Sequence, residues 1–221
     1  MTSKAIIFDL DGTLIDSAPD IAAAVNRYLE PRGRGPLSAE RVARFIGNGP
    51  RKLMADILAD QKLPVDEATL AEAHATYLEN YNRHPAALTE FYANVREDLA
   101  LLAERGFRLG ICTNKPHALT QKILSLLQID HMFEAAIGAD AVKDCKPHPD
   151  HLAAVWQAMG ISPRQVIYVG DSDVDRMTAQ RAGVPFFAVN WGTGADVAVE
   201  PAFRLHRLAD IVAHTEATHD G

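Results

Sequence analysis

Apolar and polar residues fall in blocks along this chain, and the blocks change character twice. Ala5–Phe8 is an apolar run with no gap for a polar face and is too short for a helix, which predicts a strand covered on both sides. It runs from Lys4 into Asp9, Leu10, Asp11 and Gly12, where the chain can bend sharply. From Ser17 to about Pro85 the spacing is helical throughout. Ser17 is expected to cap a helix with Ile21, Ala24, Val25, Tyr28 and Leu29 on one face. Ser38 starts a second helix, through Val42, Phe45 and Ile46, and Pro50 opens a third, through Leu53, Met54, Ile57 and Leu58. Asp66 begins a fourth, with Leu70, Ala73, Tyr77, Leu78 and Tyr81 three or four residues apart.

From about residue 91 helices alternate with apolar strands. Strands are expected at 107–112, more weakly at 133–137, then at 165–169 and 185–189, followed by a short amphipathic tail at Leu205, Leu208, Ile211 and Val212. This alternation predicts an α/β fold: a doubly wound parallel-sheet (Rossmann-like) core, residues 1–16 and 88–221, with a small helical cap domain, 17–87, inserted after the first strand.

Charge narrows the partners. The 221 residues carry a formal net charge of −7 without a run of basic residues, so nothing offers an electrostatic footprint for nucleic acid or an anionic membrane. No stretch approaches a membrane span and the opening residues lack a basic-then-apolar leader, so a cytoplasmic protein is expected, monomer or homodimer, acting on a small molecule. Cys112 and Cys145 fit neither a disulfide framework nor a zinc site and are expected as small buried or half-buried side chains.

The polar clusters all follow strands, and a parallel sheet gathers such positions along one edge. Asp9, Asp11, Thr113, Lys146, Asp171 and Asp175 would then line one crevice. Alone, Asp9-Leu-Asp11-Gly12 reads equally well as an ordinary turn. Together, these carboxylates repel one another unless a cation sits among them, and a hard divalent ion such as Mg²⁺ takes such oxygen ligands. A hydroxyl and an ammonium beside that ion suit a phosphoryl group. The cluster predicts phosphoryl transfer.

Asp9-Leu-Asp11-Gly12-Thr13-Leu14, the strand-terminal Thr113, Lys146-Pro147, and Gly170-Asp171 with Asp175 resemble, in order, the four motifs of the haloacid dehalogenase-like superfamily of hydrolases. Gly47-Asn48-Gly49, Thr113-Asn114-Lys115-Pro116 and Lys146-Pro147-His148-Pro149 are similar to its phosphoglycolate phosphatase-like branch, whose small helical cap the segment 17–87 also resembles. The resemblance implies Asp9 as nucleophile, forming an aspartyl-phosphate, and Asp11 as general acid and then base. It implies Mg²⁺ on Asp9, Asp171 and the backbone carbonyl of Asp11, phosphate binding by Thr113, Asn114 and Lys146, and Asp175 as a brace for the lysine or a metal-bound water. Asp11 argues against the dehalogenases of the superfamily, which lack this second carboxylate. Two positions depart from the branch: Phe91-Tyr92-Ala93-Asn94 stands where relatives often have Tyr-Pro-Gly, and Asp173 adds negative charge beside Asp171.

The function this implies is hydrolysis of a small phosphate monoester, with 2-phosphoglycolate the leading substrate. A sugar-phosphate phosphatase and a phosphosugar mutase share the chemistry, and a phospho-acceptor signalling module is a remote alternative that needs no helical lid. Substrate contact from the cap is expected at Gly47, Asn48, Gly49 and Arg51, where a guanidinium and free backbone donors meet at a helix start, with Lys52 the weaker candidate. An ordinary cap and a solvated arginine explain the same residues equally well. His148 and His151 have metal-like spacing but are expected as surface histidines. Trp191-Gly192-Thr193-Gly194 is either a lining of the crevice or a turn with a partly buried tryptophan.

Overall fold

The computed structural model describes residues 5–217, so residues 1–4, Lys4 among them, and 218–221 lie outside the described residues. In chain order the elements are β1 (Ala5–Phe8), β2 (Ile15–Asp16), α1 (Ala18–Leu29), α2 (Ala39–Ala43), α3 (Pro50–Asp60), α4 (Glu67–Arg83) and β3 (Glu90–Phe91). Then follow α5 (Val95–Glu104), β4 (Arg108–Thr113), α6 (His117–Leu126), β5 (Ala135–Gly138), α7 (Pro149–Ala158) and β6 (Val166–Gly170). The chain continues through α8 (Asp173–Ala182), β7 (Phe186–Val189), β8 (Arg204–Leu205) and α9 (Ile211–Ala217). The described residues fall into two compact units, one of residues up to Ile15 and from Phe91 onward, the other Asp16–Glu90.

The first unit is built on a parallel sheet in the order β5-β4-β1-β6-β7-β8. Taken as the successive strands of this sheet, that is the 3-2-1-4-5-6 order of a doubly wound Rossmann-like fold. The chain builds outward from β1 on one side, then returns to build on the other. The strand order thus reverses between β1 and β6, where open sheets of this class bind ligands beyond the carboxyl ends of their strands. β1 is buried along its whole length, which explains its unbroken apolar run. Ala5 and Ile7 pack on one face with Leu152, Val155 and Trp156 of α7 and Ala179 of α8.

In register, Phe8 lies opposite Ile111 of β4 and Val169 of β6. The residues just beyond, Asp9, Thr113 and Asp171, therefore emerge at the same sheet edge. The tail differs from a simple amphipathic helix: Leu205 belongs to a sixth strand, pairing with Val189 in parallel, before α9 begins. The expected strand at 133–137 begins two residues later, after Phe133 and Glu134.

In the second unit α1 packs against α2 and α4, and α3 against α4. The apolar faces of α1 and α3 are those the spacing predicts; in α4 Leu70 and Leu78 are only partly buried, and α2 ends at Ala43, so Phe45 and Ile46, expected on its face, lie partly buried in the turns after it. Ser17 holds the N-cap position of α1 without a side-chain cap; Asp16 Oδ1 instead accepts the Ala18 N–H at 3.1 Å. Ser38 and Asp66 do cap α2 and α4. Asp20 is buried and its Oδ2 accepts from Leu88 N at 2.8 Å and Thr89 Oγ1 at 2.7 Å, which ties the end of this unit to the first turn of α1. Among the described residues no helix is long and apolar enough to cross a membrane.

Candidate active site

Asp9 leaves β1 with its backbone still in the sheet, its N–H donating to Val169 O at 2.9 Å. Its carboxylate is buried, and Lys146 Nζ stands 2.8 Å from Oδ1. The approach is too oblique for a hydrogen bond, so Asp9 Oδ1 is sealed from water in an ion contact but without an aligned donor. Burial, with the charges of Asp175 and Asp171 adding to it and Lys146 opposing, pushes Asp9 up to about 8.

Lys146 is held by a dense polar cluster. Its Nζ donates to Asp175 Oδ1 at 2.7 Å and to Tyr168 OH at 3.0 Å, and the Tyr168 hydroxyl lies 2.8 Å from Asp175 Oδ1 and 3.1 Å from the carbonyl of Cys112. Although burial works against its charge, Asp175 and Asp9 raise the Lys146 pKa above the usual lysine range, and the ammonium persists. Asp175 Oδ2 accepts from Ser172 N at 3.1 Å and Ser172 Oγ at 2.5 Å, in a capping box that starts α8. Both oxygens of Asp175 are therefore already used. Gly170 makes this possible, because a β-carbon there would come 2.5 Å from Asp175 Cβ.

Asp171 follows β6. Thr13 Oγ1 donates to its Oδ1 at 3.0 Å, and Thr193 Oγ1 donates to its Oδ2. Burial, then repulsion from Asp175, push Asp171 up to about 7 against those hydroxyls. Asp11 faces a different ammonium: Lys115 Nζ lies 2.8 Å from both of its carboxylate oxygens. Thr113 ends β4 with its Oγ1 accepting the Lys115 N–H at 3.2 Å, and Asn114 Nδ2 donates to Lys146 O at 3.0 Å. Asp9, Asp11, Thr113, Asn114, Lys146, Asp171 and Asp175 are thus brought to one edge.

Carboxylate oxygens of Asp9, Asp171 and Asp175 all lie within 4.8 Å of one another. The donors are hard oxygens, burial disfavours two of the three anions, and Asp9 Oδ1 has no aligned donor. A divalent cation answers all three conditions, so the site fits one. With both oxygens of Asp175 already hydrogen-bonded, Asp9 and Asp171 are the carboxylates left to hold one.

Other expected residues behave differently. Asp173 is exposed and pairs with Arg176 at 2.8 Å, so its charge is met at the surface. Arg51 is exposed and donates to both carboxylate oxygens of Glu67 at 2.7 and 2.6 Å, while Lys52 pairs with Asp56. His148 is exposed and caps α7, but His151 is fully buried, against expectation. Its Nδ1 accepts the Lys146 N–H at 3.2 Å and its Nε2 faces Ile137 O at 3.1 Å, so the ring is a neutral bridge supporting Lys146. Cys112 is buried as expected, but Cys145 is exposed. Trp191 is partly buried and its Nε1 donates to Thr13 O at 3.0 Å, fastening the loop after β7 to the turn after β1.

A family model described as haloacid dehalogenase-like hydrolase matches residues 6–189. The chain belongs to that family. As a haloacid dehalogenase-like hydrolase it is similar to the phosphoglycolate phosphatase of Cereibacter sphaeroides (strain ATCC 17029 / ATH 2.4.9), 40% identical over 181 residues, which are 82% of each chain. It is 38% identical over 191 residues to that of Pseudomonas putida, covering 86% of this chain and 70% of the relative. The crystal structure of a predicted phosphoglycolate phosphatase from Haemophilus somnus 129pt superposes with a TM-score of 0.84 at 29% identity, over 96% of this chain and 97% of that one. This hydrolase is a phosphoglycolate phosphatase-like enzyme.

Tyr168 is not among the expected site residues, and Lys115 and Thr13, though inside the motifs, have no role assigned by them; Thr193 lies in the segment expected either to line the crevice or to form a turn, and it meets Asp171. Tyr168 carried a signal: a tyrosine inside a fully buried strand needs a partner for its hydroxyl. Lys115, two residues past Thr113, lies in the turn that presents the hydroxyl.

Proposed function

We propose that this hydrolase cleaves 2-phosphoglycolate to glycolate and phosphate through an aspartyl-phosphate on Asp9. The observation that carries the chemistry is the meeting of Asp9, Lys146 and Asp171 at the end of β1, with Lys146 Nζ 2.8 Å from Asp9 Oδ1. The substrate is supported by the relatives named phosphoglycolate phosphatase, 40% and 38% identical over most of the chain.

In the first step the Asp9 carboxylate forms a bond to phosphorus as the bond to the glycolate oxygen breaks, and Asp11 gives its proton to that oxygen. In the second, Asp11 takes a proton from water, the oxygen of which attacks phosphorus and releases phosphate and Asp9. Lys146 orients Asp9 and, with Thr113 and Asn114, holds the phosphoryl oxygens. Asp175 keeps Lys146 in place. Asp9, Asp171 and the backbone carbonyl of Asp11 would hold Mg²⁺, which when bound would supply positive charge to offset that of the phosphoryl group.

The helical unit Asp16–Glu90 is the proposed cap. Gly47, Asn48, Gly49 and Arg51 are its candidates for substrate contact. Release of Arg51 from Glu67 is cheap, since exposed pairs are worth about 0–1 kcal/mol.

The test is phosphate release with Mg²⁺ from 2-phosphoglycolate, several sugar phosphates and pyrophosphate, with Asp9→Asn as the blank. Selective release from 2-phosphoglycolate, lost in Asp9→Asn, is expected. Cleavage of a sugar phosphate instead overturns the substrate, and an isomerised sugar phosphate without release shows a mutase. Full turnover by Asp9→Asn overturns the mechanism.

A further inference from the structure

Lys115 is the second ammonium of the site, and the steps above leave it without a task. Its side chain is only 3% exposed. A lysine is almost never buried unless it is paired. The pairing here is with Asp11, Nζ standing 2.8 Å from both carboxylate oxygens. The backbone on either side is fixed: Lys115 N–H donates to Thr113 Oγ1 at 3.2 Å, and Lys115 O accepts from Ala139 N at 3.0 Å. The ammonium therefore sits at a set place beside the proposed acid rather than on a free arm.

We infer that Lys115 determines specificity by holding the carboxylate of a phosphorylated 2-hydroxy acid. This rests on the substrate and the role of Asp11 proposed above. To protonate the leaving oxygen, Asp11 must lie within hydrogen-bonding distance of it, about 3 Å. In 2-phosphoglycolate one methylene separates that oxygen from the carboxyl carbon, so the carboxylate oxygens lie roughly 3–4 Å from the leaving oxygen. A cation 2.8 Å from Asp11 is within reach of that span, and the substrate carboxylate shares it with Asp11. Lys146 stands instead beside Asp9, where the phosphoryl group is proposed to lie. Phosphate esters with a neutral group at that position forgo the ion pair, which gives the site a preference for an acid.

The experiment compares kcat/KM on 2-phosphoglycolate, on its carboxyl methyl ester and on ethyl phosphate, for the wild type and Lys115→Met. Lys115→Gln is run beside it in case the methionine variant does not fold, and thermal melts establish folding for both. The expected result is a loss of roughly 10- to 100-fold on 2-phosphoglycolate, seen chiefly in KM, the size of a lost charged hydrogen bond. The ester and ethyl phosphate should also slow, because Asp11 loses its partner in the variant, but by about tenfold less than the acid, because they never make the carboxylate contact. Equal losses on all three substrates overturn the inference and leave Lys115 as a positioning residue for Asp11. An unchanged preference for the acid over its ester in the variant also overturns it, since the carboxylate is then read elsewhere. If the wild type turns over other esters but not 2-phosphoglycolate, the proposed substrate has failed, and the inference falls with it.

Discussion

Asp171 stands where a side chain on Gly12 would go. A β-carbon built on Gly12 lies 2.2 Å from Asp171 Oδ2, and Gly12 also has φ +89°, in the left-handed region. The turn after β1 and the end of β6 can approach this closely only with glycine at that position. Gly12→Ala should therefore displace Asp171 from Thr13 and Thr193, at a backbone cost of about 1–3 kcal/mol. Activity should fall roughly 100-fold, the usual consequence of a displacement of about 1 Å in a catalytic group. Thermal melts should show the variant folded but no longer stabilised by Mg²⁺; a full Mg²⁺ response would contradict the close approach.

Cation binding should depend on pH with a definite sign. Without a cation, Asp9 and Asp171 are pushed up to about 8 and about 7, so near neutrality the native state retains protons that the unfolded chain, with Asp near 3.8, has lost. Their contribution to stability is thus present at low pH and fades as pH rises through 7 and 8. A divalent ion must displace these protons, so its affinity should grow with pH, by roughly tenfold per unit for each proton displaced. Melting temperatures with millimolar Mg²⁺ and with EDTA should therefore differ more at pH 8 than at pH 6. A shift independent of pH would mean that the ion sits away from these carboxylates.

His151 has the opposite dependence. Burial, helped by the Lys146 charge, lowers its pKa to about 4 from the ordinary 6.5, so the native ring stays neutral where the unfolded ring takes up a proton. Its contribution is fully present above pH 6.5 and is lost as pH falls toward 4, amounting to about 3 kcal/mol over that window. His151→Asn retains an acceptor for the Lys146 N–H and removes the titration. Denaturant unfolding should show the variant less stable than the wild type at pH 7.5, with the gap closing by pH 4.5; a constant gap would refute the buried neutral ring.

Much of this site was open to sequence reasoning because strand ends are easy to find. The unbroken apolar runs of β1 and β6 mark buried parallel strands, and Asp9 and Asp171 follow them directly. What stayed hidden depends on neighbours distant in the chain. Glu67 lies sixteen residues from Arg51 on another helix, and no spacing rule joins them. Leu205 sits in a strand of two residues, too short to have a period. His151 did leave a signal: with Val155 and Met159 it falls on the apolar stripe of α7, all three buried, yet the prolines before it resemble a surface turn.

The pair formed by Lys146 and Asp175 should be strongly coupled. The two are almost wholly buried, 1% and 0% exposed at the side chain, with Nζ 2.7 Å from Oδ1. Asp175→Asn leaves Lys146 with one carboxylate, Asp9, and weakens the capping box at α8, so it should cost roughly 3–5 kcal/mol. Lys146→Met removes the cation that meets the buried Asp175 carboxylate and should cost a similar amount, about 3–5 kcal/mol. When both are changed the second change no longer strands a charge in the interior at that position. The double variant should therefore be less destabilised than the sum of the two, by at least about 1 kcal/mol on the usual scale of coupled neighbours. Denaturant unfolding of all four proteins at pH 7.5 without divalent ions measures this coupling. Additive costs would show that Lys146 is held by Asp9 and Tyr168 alone, and Asp175 would then act only through the start of α8.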